Sequence, residues 1–90
     1  MILSDLLKDV KIKESSGNIG VRVSGVKINS REVKPGDVFV CITGFQTDGH
    51  NYVEDALSRG AVAIVAQHEI EDTAATTVIV EDTRGAVSKM

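Results

Sequence analysis

Three stretches of this chain run apolar without alternation: Val38-Phe39-Val40-Cys41-Ile42, Ala61-Val62-Ala63-Ile64-Val65-Ala66 and Thr77-Val78-Ile79-Val80. Successive side chains of a strand point to opposite faces, so a strand without polar alternation needs cover on both. A bias of 13 Val and 8 Ile against 4 Leu also favours strands over helices. Between the first two runs lies a helix whose ends are both marked. Asn51 is a candidate N-cap with Glu54 three residues on, and Gly60 sits where a helix stops. Tyr52 with Ala56, and Val53 with Leu57, are expected to form its apolar stripe. Strand, short helix and strand over residues 38–66 make a βαβ unit with parallel strands and a right-handed crossover. The expected class is therefore α/β: a small mixed or parallel β-sheet flanked by helices.

The rest of the chain is read around that unit. Leu3, Leu6, Leu7 and Val10 recur at helical spacing behind Ser4, a possible cap, which predicts a short helix near residues 4–10. Ser15-Ser16-Gly17-Asn18 reads as a loop. Val21, Val23, Val26 and Ile28 alternate with polar neighbours, which predicts a half-buried strand, bulged at Gly25. Val33-Lys34-Pro35-Gly36-Asp37 is turn chemistry: proline presets φ at the first central position and glycine accepts positive φ at the second. Residues 81–90 read as a helix that has barely started. Three strands needing cover on both faces, with two complete helices visible, suggest a piece of a longer protein cut where a connecting helix begins.

Ninety residues and 9.6 kDa make one domain, here with 42% hydrophobic and 26% charged residues, ordinary globular values. A net charge of −3 and a pI near 5.2, with ten scattered Lys and Arg, argue against a nucleic-acid partner, which needs a basic stripe. Cys41, the single cysteine, cannot form an internal disulfide. The longest apolar run is too short to span a bilayer, so no membrane partner is expected. The start, Met1-Ile2-Leu3-Ser4-Asp5, lacks the basic opening of a secretion signal. The expected location is cytoplasmic.

The catalytic inventory is thin. No Gly-Lys pair occurs, so there is no Walker-type phosphate cradle, and Gly17-Asn18-Ile19-Gly20 lacks a dinucleotide fingerprint around it. His50 and His68 have no second ligand at metal spacing and read as loop histidines. Cys41, inside an apolar strand, reads as a buried small hydrophobe. Glu69, Glu71 and Asp72 read as solvated surface. More suggestive are the loops after strands, Asn29-Ser30-Arg31 and Thr43-Gly44-Phe45-Gln46-Thr47-Asp48-Gly49-His50. Ligands of open α/β sheets gather at the carboxyl ends of strands. These loops either hold a flat base with polar substituents or simply turn the chain.

Taken in order, Asn29-Ser30-Arg31, Pro35-Gly36-Asp37-Val38-Phe39-Val40, Gly44 to Asp48-Gly49-His50 and Arg59-Gly60-Ala61-Val62-Ala63-Ile64-Val65 resemble the N-terminal domain of the Mur ligases. The likeness is to the MurE, or UDP-N-acetylmuramoyl-tripeptide synthetase, type and spans roughly residues 24–85. Asn29 stands where that family usually has aspartate. The resemblance implies that residues 1–90 form one N-terminal domain holding the UDP end of UDP-N-acetylmuramoyl-L-alanyl-D-glutamate. The substrate-binding residues it implies are Ile28, Ser30, Phe45, Gln46 and Thr47. It implies a full-length ATP-dependent amide ligase that uses ATP and Mg2+ on its own central and C-terminal domains and adds meso-diaminopimelate or L-lysine. No cofactor, metal or catalytic residue is expected on this chain. The alternatives are the sister ligase that adds D-alanyl-D-alanine and a non-catalytic interaction module; Asp48-Gly49-His50 favours the tripeptide synthetase over the sister ligase.

Overall fold

The three apolar runs become the inner strands of one five-stranded sheet. A computed structural model describes residues 1–42, 49–70 and 75–90. The strands are β1 (Ile12–Ser16), β2 (Val26–Lys27), β3 (Val38–Val40), β4 (Ala63–Ala66) and β5 (Thr76–Val80), in spatial order β1-β5-β4-β3-β2. All neighbours are parallel except β1, which runs antiparallel to β5. The sheet is thus mixed, as expected, and the parallel pairing of β3 with β4 confirms the βαβ unit.

Both faces are covered, as the missing alternation demands. Val38, Val40, Ala63, Val65, Val78 and Val80 point to one face, where Leu3 and Leu7 from α1 (Leu3–Leu6) and its end pack with Ala86 of α3 (Thr83–Lys89). Phe39, Cys41, Ile64, Ala66 and Ile79 point to the other, against Val53 and Ala56 of α2 (Val53–Ser58). The third helix, read from sequence as barely begun, is a seven-residue cover for the first face, capped by the Asp82 carboxylate, which accepts the Arg84 amide at 3.1 Å. Cys41 is fully buried, as expected for a small hydrophobe.

Several expectations need correction. The segment read as the loop around Ser15-Ser16 is the end of β1, an edge strand whose residues after Ile12 are all exposed. Lys13 and Glu14 carry no hydrophobic pattern because one long side of this strand faces water, where charge discourages pairing with other chains. The strand expected over residues 21–28 shrinks to Val26–Lys27. Val21 and Val23 instead bond the start of the chain: Leu3 N–H donates to Val21 C=O at 2.9 Å and Val23 N–H to Met1 C=O at 2.7 Å.

That pairing also shortens α1. The Leu3 and Ser4 amides donate to the distant carbonyls of Val21 and Ile19, at 2.9 and 2.8 Å, so no side-chain cap forms. Asn51 is not the N-cap of α2 either. It lies within a 3-10 turn, Gly49–Tyr52, that leads into the helix, and Tyr52 takes the cap position without a side-chain bond. The C-terminus behaves as read. Gly60 at φ +102° lets its own amide reach Leu57 C=O (3.0 Å) and the Ala61 amide reach Ala56 C=O (3.1 Å), closing the last turn.

The Pro35-Gly36 turn locks onto this helix end. Asp37 N–H donates to Lys34 C=O at 3.1 Å, Gly36 takes φ +95°, and Gly36 N–H donates to Gly60 C=O at 2.9 Å. Beneath the turn the Asp37 carboxylate, 2% exposed as a residue, accepts the Lys34 amide at 2.9 Å and pairs with Lys27 Nζ at 3.1 Å. Burial opposes its ionisation, but that amide bond and the Lys27 and Lys34 charges outweigh it and hold the carboxyl below its ordinary value.

Candidate functional site at the carboxyl ends of β2 and β3

Where β2 and β3 end, the chain leaves the sheet on the same edge and opens a cleft of about 420 Å³. Its floor is Phe39, 1% exposed, at the centre of β3. One wall is the segment Ile28 to Arg31, the other Gly49 and Tyr52 of the 3-10 turn, with Ile42 between. Ile28 (55% exposed) and Tyr52 (43%) are two large apolar side chains left open to solvent, and both line this cleft.

The first wall is a short 3-10 turn, Ser30–Glu32, capped by Asn29, whose Oδ1 accepts the Arg31 amide at 3.0 Å. Capping needs a carbonyl acceptor and no charge, so asparagine serves here as aspartate would. Ser30 is 5% exposed, and its hydroxyl is the first influence on the Asp55 carboxylate of α2. Asp55 is held below the usual carboxylate range by that hydroxyl first, then by Arg59 and the Arg31 charge, against a desolvation that pushes it up. Arg59 Nε donates to the two Asp55 oxygens at 3.1 and 3.2 Å, and its terminal nitrogen reaches Arg31 C=O at 3.4 Å. One guanidinium thus ties α2 to the wall that carries Ser30.

The second wall is pinned twice. Gly49 N–H donates to Ile42 C=O at 2.8 Å, and a Cβ at position 49 would stand 2.5 Å from Ile42 N, so only glycine fits here. His50 Nε2 accepts the Gln67 amide at 3.0 Å, so this nitrogen carries no proton, and its ring stacks on His68 with centroids 3.9 Å apart. Gln67 Oε1 in turn accepts from the Thr83 amide and hydroxyl at 3.0 and 3.1 Å. The histidines read as independent loop residues are therefore a stacked pair that fastens the wall to the end of β4 and the start of α3.

Of the site residues expected from sequence, Ile28 and Ser30 are brought together in the cleft, while Phe45, Gln46 and Thr47 lie outside the described residues. Arg31, from the same suggestive loop, lines the cleft as well, whereas Tyr52 was missed. The sequence pattern puts Tyr52 on the apolar stripe of α2, but the buried positions are Val53 and Ala56, with Leu57 half-buried, and Tyr52 lines the cleft. The spacing of 53, 56 and 57 was the available signal. Among the described residues no group of three His, Cys, Asp or Glu could hold a metal ion. With no Gly-Lys cradle in the sequence either, the described residues offer no group that fits ATP with Mg2+. Among the described residues no helix is long and apolar enough to cross a membrane.

A profile described as "Mur ligase family, catalytic domain" matches residues 22–89. The chain belongs to the Mur ligase family. It is 48% identical over its whole length to the UDP-N-acetylmuramoyl-L-alanyl-D-glutamate--2,6-diaminopimelate ligase of Caldanaerobacter subterraneus subsp. tengcongensis, covering 19% of that protein. It is also 39% identical, over 96% of its length, to UDP-N-acetylmuramyl-tripeptide synthetase 2 of Oceanobacillus iheyensis, covering 18% of it. The chain thus spans about a fifth of the curated relatives it matches. Among solved structures, MurF from Acinetobacter baumannii superposes with a TM-score of 0.69 at 27% identity, over 74% of this chain and 15% of that one. MurF ligase from Thermotoga maritima, in complex with ADP, gives 0.67 at 33% identity, over 77% and 16%. These structures share the fold over about three quarters of the chain, and the sequence relatives carry diaminopimelate-ligase and tripeptide-synthetase names.

Proposed function

We propose that this domain anchors the UDP end of UDP-N-acetylmuramoyl-L-alanyl-D-glutamate for an ATP-dependent ligase of peptidoglycan assembly. The observation that carries the reading is the cleft itself. At the carboxyl ends of two parallel strands, a buried serine, Ser30, shares the cleft with two exposed apolar side chains, Ile28 and Tyr52. A planar base packs its faces on such apolar groups while its edge bonds the hydroxyl. Phe45, Gln46 and Thr47 continue from Ile42 beside the cleft in sequence and supply contacts to the base and diphosphate.

In the whole protein, amide-bond formation falls to central and C-terminal domains that bind ATP, Mg2+ and a diamino acid, diaminopimelate or lysine. This chain contributes substrate anchoring and no catalytic group, and it works in the cytoplasm, where nucleotide-linked precursors are made. The names of the sequence relatives favour the tripeptide synthetase over the D-alanyl-D-alanine-adding ligase.

The test is an NMR titration of the labelled chain with UDP-N-acetylmuramoyl-L-alanyl-D-glutamate, with UDP as comparison. Shifts at Ile28, Ser30 and Tyr52 and in residues 45–47, saturating between about micromolar and millimolar ligand, are expected. No shift with either ligand at millimolar concentration refutes the reading.

A further inference from the structure

We propose that Arg31 is a phosphate-binding residue of the cleft: its guanidinium takes the diphosphate of a nucleotide, so the site separates a nucleoside diphosphate from the bare nucleoside by charge. The inference rests on the nucleotide-anchoring reading above and names the side chain that meets the anionic part of the ligand.

Of the described residues that line the cleft, Arg31 alone is charged. The basic side chains on either side of it are engaged elsewhere. Lys27 Nζ pairs with Asp37 at 3.1 Å, and Arg59 Nε bonds both Asp55 oxygens at 3.1 and 3.2 Å. Among the described residues Arg31 makes no ion pair, although its charge is felt at Asp55, which already has its counter-ion in Arg59. Its side chain is exposed, but its backbone is held at both ends. The Arg31 amide donates to Asn29 Oδ1 at 3.0 Å, and the Arg31 carbonyl accepts from the terminal nitrogen of Arg59 at 3.4 Å. A solvated surface arginine needs no such anchoring. Here it fixes the root of the guanidinium on the wall of the cleft, which lowers the ordering cost of binding.

A diphosphate is strongly anionic at neutral pH. The chain as a whole carries a charge of −3, so such a ligand meets long-range repulsion and needs a local cation. A planar guanidinium offers two parallel N–H groups to two phosphate oxygens, where an ammonium offers only a point charge. Ile28 and Tyr52 line the same cleft and carry no charge, so a base packed on them gains nothing from its phosphates. Base and phosphate are thus recognised by different side chains, and removing Arg31 weakens one without the other.

The experiment titrates uridine and UDP into the chain and into its Arg31→Gln and Arg31→Lys variants, followed by NMR at low and at high salt. The unsubstituted chain should bind UDP about tenfold or more tightly than uridine, a preference that shrinks as salt rises. In Arg31→Gln, UDP affinity falls about tenfold, uridine affinity stays within about twofold, and the salt dependence of UDP binding flattens. Arg31→Lys restores the salt dependence and only part of the affinity, because the charge returns without the fork. Arg31 is exposed, so the amide shifts of β3 and β4 in the free variants should match those of the unsubstituted chain and verify the fold. A merely structural arginine lowers affinity for uridine and UDP alike. That result, no preference for UDP in the unsubstituted chain, or a preference that Arg31→Gln leaves intact overturns this proposal and leaves the anchoring reading standing. A chain that binds the complete UDP-linked precursor but not UDP also overturns the proposal, and one that binds neither overturns both.

Discussion

Replacing Asp37 with asparagine keeps the shape of the side chain under the Pro35-Gly36 turn and removes its charge. The carboxylate is almost out of contact with water, with a side chain 3% exposed, and it holds two partners: the Lys34 amide at 2.9 Å and Lys27 Nζ at 3.1 Å. A hydrogen bond to a charged group contributes about 1.5–3 kcal/mol. The Lys27 pair counts for less, because that ammonium is 29% exposed and salt-screened, so about 0.5–1 kcal/mol is appropriate. Asparagine can still accept the amide bond as a neutral group, which returns about 1 kcal/mol. The net expected loss for Asp37→Asn is therefore about 2 kcal/mol at neutral pH. The folded carboxyl lies below its unfolded value of 3.8. Its stabilisation is thus complete above that value and is lost as pH falls through the folded one. Urea unfolding of both proteins from pH 7 down to pH 2.5 should show a gap of about 2 kcal/mol that closes below about pH 4, when a protonated Asp37 resembles asparagine. A gap absent at pH 7, or unchanged at the acid end, refutes the reasoning.

Gly60→Ala should cost about 3 kcal/mol or more in urea unfolding, because φ is +102° there and a Cβ would stand 2.6 Å from Pro35 Cα; a loss under about 1 kcal/mol would show that the turn and helix end can separate cheaply. Gly49→Ala pushes a Cβ to 2.5 Å from Ile42 N, so it should weaken UDP binding as well as lower Tm; unchanged binding by the folded variant would show that this wall does not shape the site. His50→Ala removes the acceptor of the Gln67 amide, so hydrogen exchange at Gln67 should speed up by about tenfold while exchange in β3 is unaffected, and equal protection in both proteins would refute the fastening role.

Much of this architecture was legible because its signals are local or periodic. Strands without alternation, as at Val38–Val40 and Ala63–Ala66, state that two faces must be covered, and the structure covers both. The Pro35-Gly36 turn and the stop at Gly60 follow from what a pyrrolidine ring and a missing Cβ permit. Ile28 and Ser30, named from the family pattern, line one cleft.

Other features depend on partners far along the chain, and no window of sequence contains them. Lys13, Glu14 and Ser15 form a strand only because β5 offers an unpaired edge, and Val21 and Val23 leave the sheet only because Met1 and Leu3 take their backbone bonds. His50 and His68 become a stacked pair when β4 and α2 are brought side by side. The bond from the Arg59 guanidinium to Arg31 C=O joins the end of a helix to a turn 28 residues earlier. Composition and periodicity thus determined that this chain would fold as a covered α/β sheet with an open strand end. Tertiary structure decided which polar groups meet at that end, since a hydrogen bond depends on distances of a few tenths of an ångström between segments whose order in the chain says nothing about them.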